Sequence, residues 1–192
     1  MKHSYKISES IFQMRPISND DAEFILMLRN DNKLNSYLNK TSNEISDQIS
    51  WLKNYYEKND DFYFVIERKK DKRQEGLIAL YDVDYENNTA EWGRWILRTG
   101  SMAAVESALM IYKLAFEEMK LEKIYSRTVL LNKKVVSFHD SCGITNKKVL
   151  KNYFEFKEKR VDTIEHTVDK ITYVDVVNKL KNLSKLMAKK LC

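Results

Sequence analysis

The sequence predicts an α/β (strictly α+β) architecture: a mixed, mainly antiparallel central sheet of about seven strands flanked by helices, plus a C-terminal helix. Three observations predict it. Two β-type runs, Phe62 to Arg68 and Gly76 to Val83, are separated only by the charged loop KKDKRQE, and a third, Thr89 to Arg98, follows closely, which is the pattern of an antiparallel meander. The third run passes through the small-residue turn Thr99-Gly100-Ser101 into a long apolar stripe of helical period, then into another strand, Lys123 to Leu131, and a short helix. A second helical stripe closes the chain.

Taken in order, Phe12 to Ile17 reads as a first strand, stopped at Ser18-Asn19-Asp20-Asp21, where a capping residue and two acids start a helix. That helix turns Ile25 and Leu28 inward and ends at Arg29-Asn30-Asp31. From Ser46 a second amphipathic helix carries Ile49, Leu52 and Tyr56 on one face, with Trp51 and Tyr55 beside it. Alternation along Thr89 to Arg98 places Glu91, Gly93, Trp95 and Leu97 on one face of their strand. The following helix sets Val105, Ala108, Leu109, Tyr112, Ala115, Phe116 and Met119 inward and turns Glu106, Lys113, Glu117 and Glu118 outward. Asn132 is a good N-cap for a short helix through Ser141, closed by Gly143. Val149 to Arg160 and Asp162 to Val168 form a closing pair of strands, and Asp169 caps the last helix. Its apolar residues Val177, Leu180, Leu183, Met187 and Leu191 lie among Lys179, Lys181, Lys185, Lys189 and Lys190.

With 192 residues, one proline, no repeat and no low-complexity tract, a single domain over 1–192 is expected, residues 176–192 being its C-terminal amphipathic helix. At 43% hydrophobic and 32% charged residues the chain has a globular composition, and no apolar run approaches the roughly 20 residues of a membrane helix. MKHSYKISES lacks the apolar core of a secretion signal, and Cys142 and Cys192 make no disulfide framework, so a cytoplasmic setting is expected. The net charge of +5 favours an anionic ligand: a cofactor phosphate, a nucleotide-linked substrate or nucleic acid. His3, His139 and His166 lack metal-ligand spacing with the cysteines, so no metal is expected. Neither a phosphate loop ending in Gly-Lys-Ser/Thr nor a Gly-x-Ser-x-Gly elbow occurs. A strand that enters a helix through a small-residue turn does, however, aim unpaired N–H groups and a positive dipole end at the turn, which suits a phosphate.

The spacing Arg98-x-x-Ser101-x-Ala103, a long helix, a strand, then Asn132-x-x-Val135-x-x-Phe138-His139-x-x-x-Gly143-Ile144 resembles the acetyl-CoA core of the GNAT N-acetyltransferase superfamily. That family's patterns are Arg/Gln-x-x-Gly-x-Gly/Ala and Asn-x-x-Ala-x-x-aliphatic-Tyr-x-x-x-Gly-Phe. Here Ser101 stands where glycine is usual, with Gly100 one place earlier, and His139 stands where tyrosine is usual. The resemblance implies acetyl-CoA as co-substrate and direct attack of an amine on its acetyl carbonyl in a ternary complex. It implies that Ile96 and Leu97 pair with the pantetheine arm and that Arg98, Thr99, Gly100, Ser101, Met102 and Ala103 cradle the pyrophosphate, with Asn132 and Phe138 also at the cofactor. Glu91 becomes the candidate base and His139 the candidate proton donor to the departing thiolate. Nevertheless, Glu91 also reads as a solvent-facing strand residue, His139 as a packed helix residue and Asn132 as an N-cap alone.

Arg29, Trp51, Tyr55, Tyr81 and His166 are the acceptor-binding candidates, although aromatic residues at helical spacing equally suit a core. The chain looks most like bacterial N-acetyltransferases of nucleotide-linked deoxyamino sugars. Acetylation of a protein N-terminus, as in ribosomal-protein acetyltransferases, is the alternative. The lysine-rich tail motivates a third reading, a non-catalytic CoA- or RNA-binding module. On the first reading the partner is a small-molecule amine, with no nucleic acid and no membrane span. The tail then packs on its own domain or on a second subunit of a homodimer.

Overall fold

A computed structural model describes residues 2–34, 36–38, 41–156 and 158–191, with side chains through residue 189. Cys192 and the side chains of Lys190 and Leu191, assigned above from sequence, lie outside the described residues. The elements run β1 (Ile7–Ser8), β2 (Phe12–Pro16), α1 (Ala22–Asn30), α2 (Ile45–Tyr56), β3 (Phe62–Arg68), β4 (Gln74–Asp84), β5 (Thr89–Leu97), α3 (Ala104–Lys113), β6 (Lys123–Val129), α4 (Lys133–Ser141), β7 (Lys147–Phe156), β8 (Lys159–Asp169) and α5 (Lys170–Leu191). They form one eight-stranded sheet in the order β1-β2-β3-β4-β5-β6-β8-β7. This is the expected mixed α/β fold with one additional short strand at the edge. β5 and β6 are the parallel pair among the described residues, joined by the α3 crossover, and the remaining neighbours are antiparallel.

Two apolar layers cover the sheet. On one face Met14, Phe64, Ile78, Leu80, Trp92 and Ile124 pack against α3 and α5; on the other Val65, Leu77, Ala79 and Ile96 pack against α1 and α2. α1 buries Ile25 and Leu28 as its period requires. Its entry is fixed by Arg15, whose guanidinium holds Asp21 through two bonds of 2.8 Å, a bidentate pair that fixes an angle as well as a distance. In α2 Gln48, Leu52 and Tyr55 are fully buried, while Ile49 and Tyr56 pack partly buried against the same layer, the Tyr56 hydroxyl donating to Asn19.

Two sequence expectations are corrected. β5 does not alternate throughout: Ala79 pairs with Gly93 but Leu77 with Ile96, so β5 carries one extra residue, and Arg94 takes φ 45° at that bulge. Glu91 and Gly93 therefore share the α1/α2 face with Tyr81, whereas Trp95 and Leu97 are turned to the α3 face. Glu106 is not an outward residue of α3. It is buried, accepting N–H bonds from Ile11 (3.0 Å) and Phe12 (2.9 Å) on one oxygen and the Ser184 hydroxyl (2.8 Å) on the other. The α3 helix also widens into a π-helical turn, Leu114–Glu118, before β6.

Asp169 caps α5 as expected, accepting from the N–H groups of Ile171 and Thr172. Val176, Val177 and Leu180 of α5 are buried against the α3 face, so the basic tail is a packed helix of this sheet. Full burial of a side chain such as Leu180 is worth about 1.5–3 kcal/mol.

Candidate active site

The parallel pairing of β5 with β6 lasts three residues, Thr89 to Glu91 against Lys123 to Tyr125. Beyond Glu91, β5 continues to Leu97 and β6 to Val129 without pairing to each other. The sheet therefore opens into a wedge at its centre. The peptide groups of β5 facing it from Trp92 to Leu97 have no strand partner there among the described residues, an edge suited to an extended ligand with amide groups.

Beyond the wedge comes the turn into α3. Ser101 N–H bonds to the Arg98 carbonyl at 3.0 Å, and the Ser101 hydroxyl accepts from Ala103 N–H at 3.2 Å. Gly100 has φ +80° with open space where a Cβ would stand, which explains why glycine precedes Ser101. The first bond of the helix runs from Ser107 N–H to the Ala103 carbonyl, so the N–H groups of Ala104, Val105 and Glu106 have no intrahelical acceptor. These donors and the dipole behind them fit a phosphate. The Arg98 side chain does not join them: its Nε donates to the Gln74 carbonyl at 2.8 Å and its guanidinium lies over Phe24. Thr99 and Met102 are at the turn's surface.

On the α3 face, α4 presents His139. Asn132 caps the helix through Val135 N–H at 3.4 Å, and Gly143, φ +84°, ends it. The His139 ring is 2% exposed, in contact with Trp92 and Trp95, and stacked on His166 at 4.9 Å. Its Nε2 stands 3.5 Å from the Ser126 hydroxyl, while its Nδ1 is buried with no partner among the described residues. Burial, reinforced by His166, pushes its pKa down to about 3, so the ring is neutral near pH 7. An orphaned buried imidazole nitrogen is the kind of polar atom a ligand satisfies. Phe138 packs on Trp95 beside it.

On the other face, Glu91 is buried between two partners. Oε1 accepts the Tyr81 hydroxyl at 3.0 Å, and Oε2 accepts Arg127 Nη1 at 2.9 Å. Burial, helped by the Asp82 charge, raises the Glu91 pKa and outweighs the Arg127 charge and the Tyr81 hydrogen bond that oppose it, so the net shift is upward. Arg127 is in turn held by Glu165 at 2.9 Å and lies over the rings of Tyr125 and Tyr153. This hydrogen-bonded network spans four strands, β4, β5, β6 and β8, and had no local signal in the sequence. Lys148 on β7 extends it by pairing with Glu165.

A cavity of about 360 Å³ opens between α1, α2 and β5, lined by residues including Arg29, Asp47, Gln48, Trp51, Tyr63 and Arg94. Arg29 and Trp51 thus line one cavity. Tyr55 does not line it: it is core, its hydroxyl accepting Tyr63 N–H at 3.0 Å. Tyr81 does not line the cavity but touches its wall and the candidate base, with Arg94 over its ring at 4.5 Å and Glu91 on its hydroxyl. His166 is on the opposite face, stacked on His139 and bonded to Asp140 at 3.2 Å. A shallow polar hollow at Asp84, Asn87, Thr89, Glu122 and Lys123 lies at the start of β5 and shares no lining residue with that cavity.

No helix among the described residues is long and apolar enough to cross a membrane, and no cluster of metal-ligating side chains occurs among them. The model of the acetyltransferase (GNAT) domain family matches residues 12–145. Among solved structures, apo FdhC, a nucleotide-linked sugar GNAT, is 30% identical, covering 94% of this chain and 98% of that one with a TM-score of 0.76. Spermidine N-acetyltransferase from Vibrio cholerae in complex with CoA and spermine is 22% identical, covering 86% and 99%, with a TM-score of 0.77, a likeness of fold. A search of curated protein sequences returned no match. The chain belongs to the GNAT acetyltransferase family and is an acetyl-CoA-dependent N-acetyltransferase, the open wedge and the turn at Gly100 being the parts that fit that donor.

Proposed function

We propose that this enzyme acetylates the amino group of a nucleotide-linked deoxyamino sugar by direct attack in a ternary complex. The observation that carries the acceptor class is the cavity beside β5, where Arg29 and Arg94 stand with Trp51 and Tyr63. Guanidinium and aromatic groups suit phosphates and a base or sugar ring. A polycation would find Asp47 there beside Arg29, with Asp61 already engaged by Arg94 at 2.7 Å. The 30% identity to a nucleotide-linked sugar acetyltransferase along nearly the whole chain supports the same class.

Acetyl-CoA supplies an electrophilic carbonyl and a thiolate leaving group. The turn from Arg98 to Ala103, with the open N–H groups of Ala104, Val105 and Glu106 behind it, would hold its pyrophosphate, and the free edge of β5 at Ile96 and Leu97 its amide-bearing arm. Glu91 takes the proton that the attacking amine must lose, its upward-shifted pKa making it a better base than an exposed carboxylate. Arg127 keeps it ionised. His139 offers an N–H as a hydrogen bond to the departing sulfur; neutral near pH 7, the ring stabilises the thiolate through that bond and gives up no proton, which the sulfur takes from solvent.

The test is acetyl-CoA turnover with a nucleoside-diphosphate-linked aminodeoxyhexose, spermidine and a peptide with a free N-terminus, side by side. The sugar nucleotide is expected to give the highest kcat/KM. A higher value for spermidine or the peptide sinks the acceptor assignment and leaves the family standing.

Donor binding is expected to stabilise the fold: at 100 times its Kd, acetyl-CoA adds about 2.7 kcal/mol, on the order of 5–10 °C in melting temperature for a chain of this size. Gly100→Val should remove most of that shift, since a β-branched residue at φ +80° is strained and crowds the phosphate cradle. Thermal denaturation of both proteins with and without donor checks it; an equal shift in the variant excludes the turn as the cradle.

A further inference from the structure

We propose that Tyr81 is a catalytic residue: its phenol oxygen takes the proton leaving the acceptor amine while its own proton passes to Glu91 Oε1. This rests on the reading of Glu91 as the base. Four observations carry it. Glu91 is buried and one of its oxygens is occupied by Arg127, so the oxygen left for proton transfer is the one already bonded to the Tyr81 hydroxyl at 3.0 Å. Tyr81 is only partly buried. Its ring packs against Arg94, which lines the acceptor cavity together with Trp51 and Tyr63, so one side chain touches both a wall of that cavity and the carboxylate. Finally, Gly93 makes the space for the hydroxyl: a Cβ at that position would come within 2.8 Å of the phenol oxygen.

The transfer balances without a further reactant. The amine N–H bond breaks as a bond from that hydrogen to the phenol oxygen forms; the original phenol O–H breaks as Glu91 gains the hydrogen. The amine has lost one proton, Glu91 has become a neutral acid, and Tyr81 ends as it began. Because no phenolate accumulates, the upward displacement of its pKa by burial and by the Glu91 charge is no obstacle. The charged and titratable groups facing the pair are Asp82 on β4, Arg94 on β5, Tyr125 and Arg127 on β6 and Glu165 on β8.

The experiment compares Tyr81→Phe, Gly93→Ala and Glu91→Gln with the wild-type enzyme, using whichever acceptor of the panel above the wild type turns over. Tyr81→Phe should lower kcat by about 10²-fold or more with little change in acceptor KM. The wild-type rate plotted against deuterium fraction of the solvent should curve, as for two protons in flight, and become straight in Tyr81→Phe. Gly93→Ala retains the phenol but displaces its hydroxyl, so it should show the same loss of kcat, and it answers the question if Tyr81→Phe folds poorly. Wild-type kcat in Tyr81→Phe or Gly93→Ala, a change in KM alone, or a straight wild-type plot overturns the relay. If Glu91→Gln is impaired while Tyr81→Phe is not, the relay falls and the base stands; if Glu91→Gln keeps full turnover, the base reading fails and the relay with it.

Discussion

Glu91→Gln is expected to lower kcat by roughly 10²- to 10⁴-fold, the range spanned by positioned acid–base groups. The substitution keeps the shape of the side chain and its bond with Tyr81 but removes both the basic oxygen and the charge that Arg127 neutralises. The pH profile separates these effects. The acting form of Glu91 is the carboxylate, so the wild-type rate should rise with pH through a pKa above the ordinary glutamate value, the direction that burial imposes. In Glu91→Gln that limb should vanish. In Arg127→Gln, which removes the opposing positive charge, it should move to still higher pH. A pH-rate series on the three proteins tests the assignment, and an unmoved limb in Glu91→Gln would falsify it.

The second large effect is expected at His139. His139→Phe keeps a ring against Trp92 and Trp95 but removes the donor, so turnover should fall roughly 10- to 10⁴-fold while donor affinity changes little. His139→Tyr should recover part of the rate, because a phenol also donates. Stability supplies an internal control. The wild-type ring buries a nitrogen without a partner, a defect of about 1–3 kcal/mol, so His139→Phe without ligand should melt no lower than wild type. With a pKa near 3 the imidazole does not titrate between pH 5 and 8, and the shape of the profile there should be the same in both proteins. Full turnover in His139→Phe under conditions where chemistry limits the rate would make His139 a packing residue, leaving another group to stabilise the departing sulfur.

What was legible in the sequence was local. Periodicity placed α1, α2, α3 and α5; Asn132, Asp169 and the positive-φ glycines 100 and 143 marked helix and turn boundaries through their own backbone chemistry. What was not legible depends on residues far apart in the chain. The bulge in β5 is a property of its register with β4, and without that register strict alternation put Trp95 on the wrong face. Glu106 looked exposed because it is charged and grouped with Lys113, Glu117 and Glu118 off the apolar stripe, but its partners come from the start of β2 and from α5. Arg127 carried no motif, and it joins the site only because β6 lies between β5 and β8. Tyr55 and His166 were proper candidates by type; the first is held in the core by Tyr63, the second is turned to the His139 side.

Glu106 has a consequence for how the molecule opens. One buried carboxylate terminates hydrogen bonds from residues 11 and 12, near the start of the chain, and from Ser184, eight residues from its end, and it sits in the first turn of the helix that faces the wedge. Releasing α5 would strand one of its oxygens, and releasing β2 the other, each in an apolar layer, so neither end of the chain can peel away without loosening α3. Amide hydrogens of β2, α3 and the middle of α5 should accordingly exchange as one cooperative unit with a common opening free energy, and a ligand seated at the α3 terminus should slow exchange as far away as Leu180.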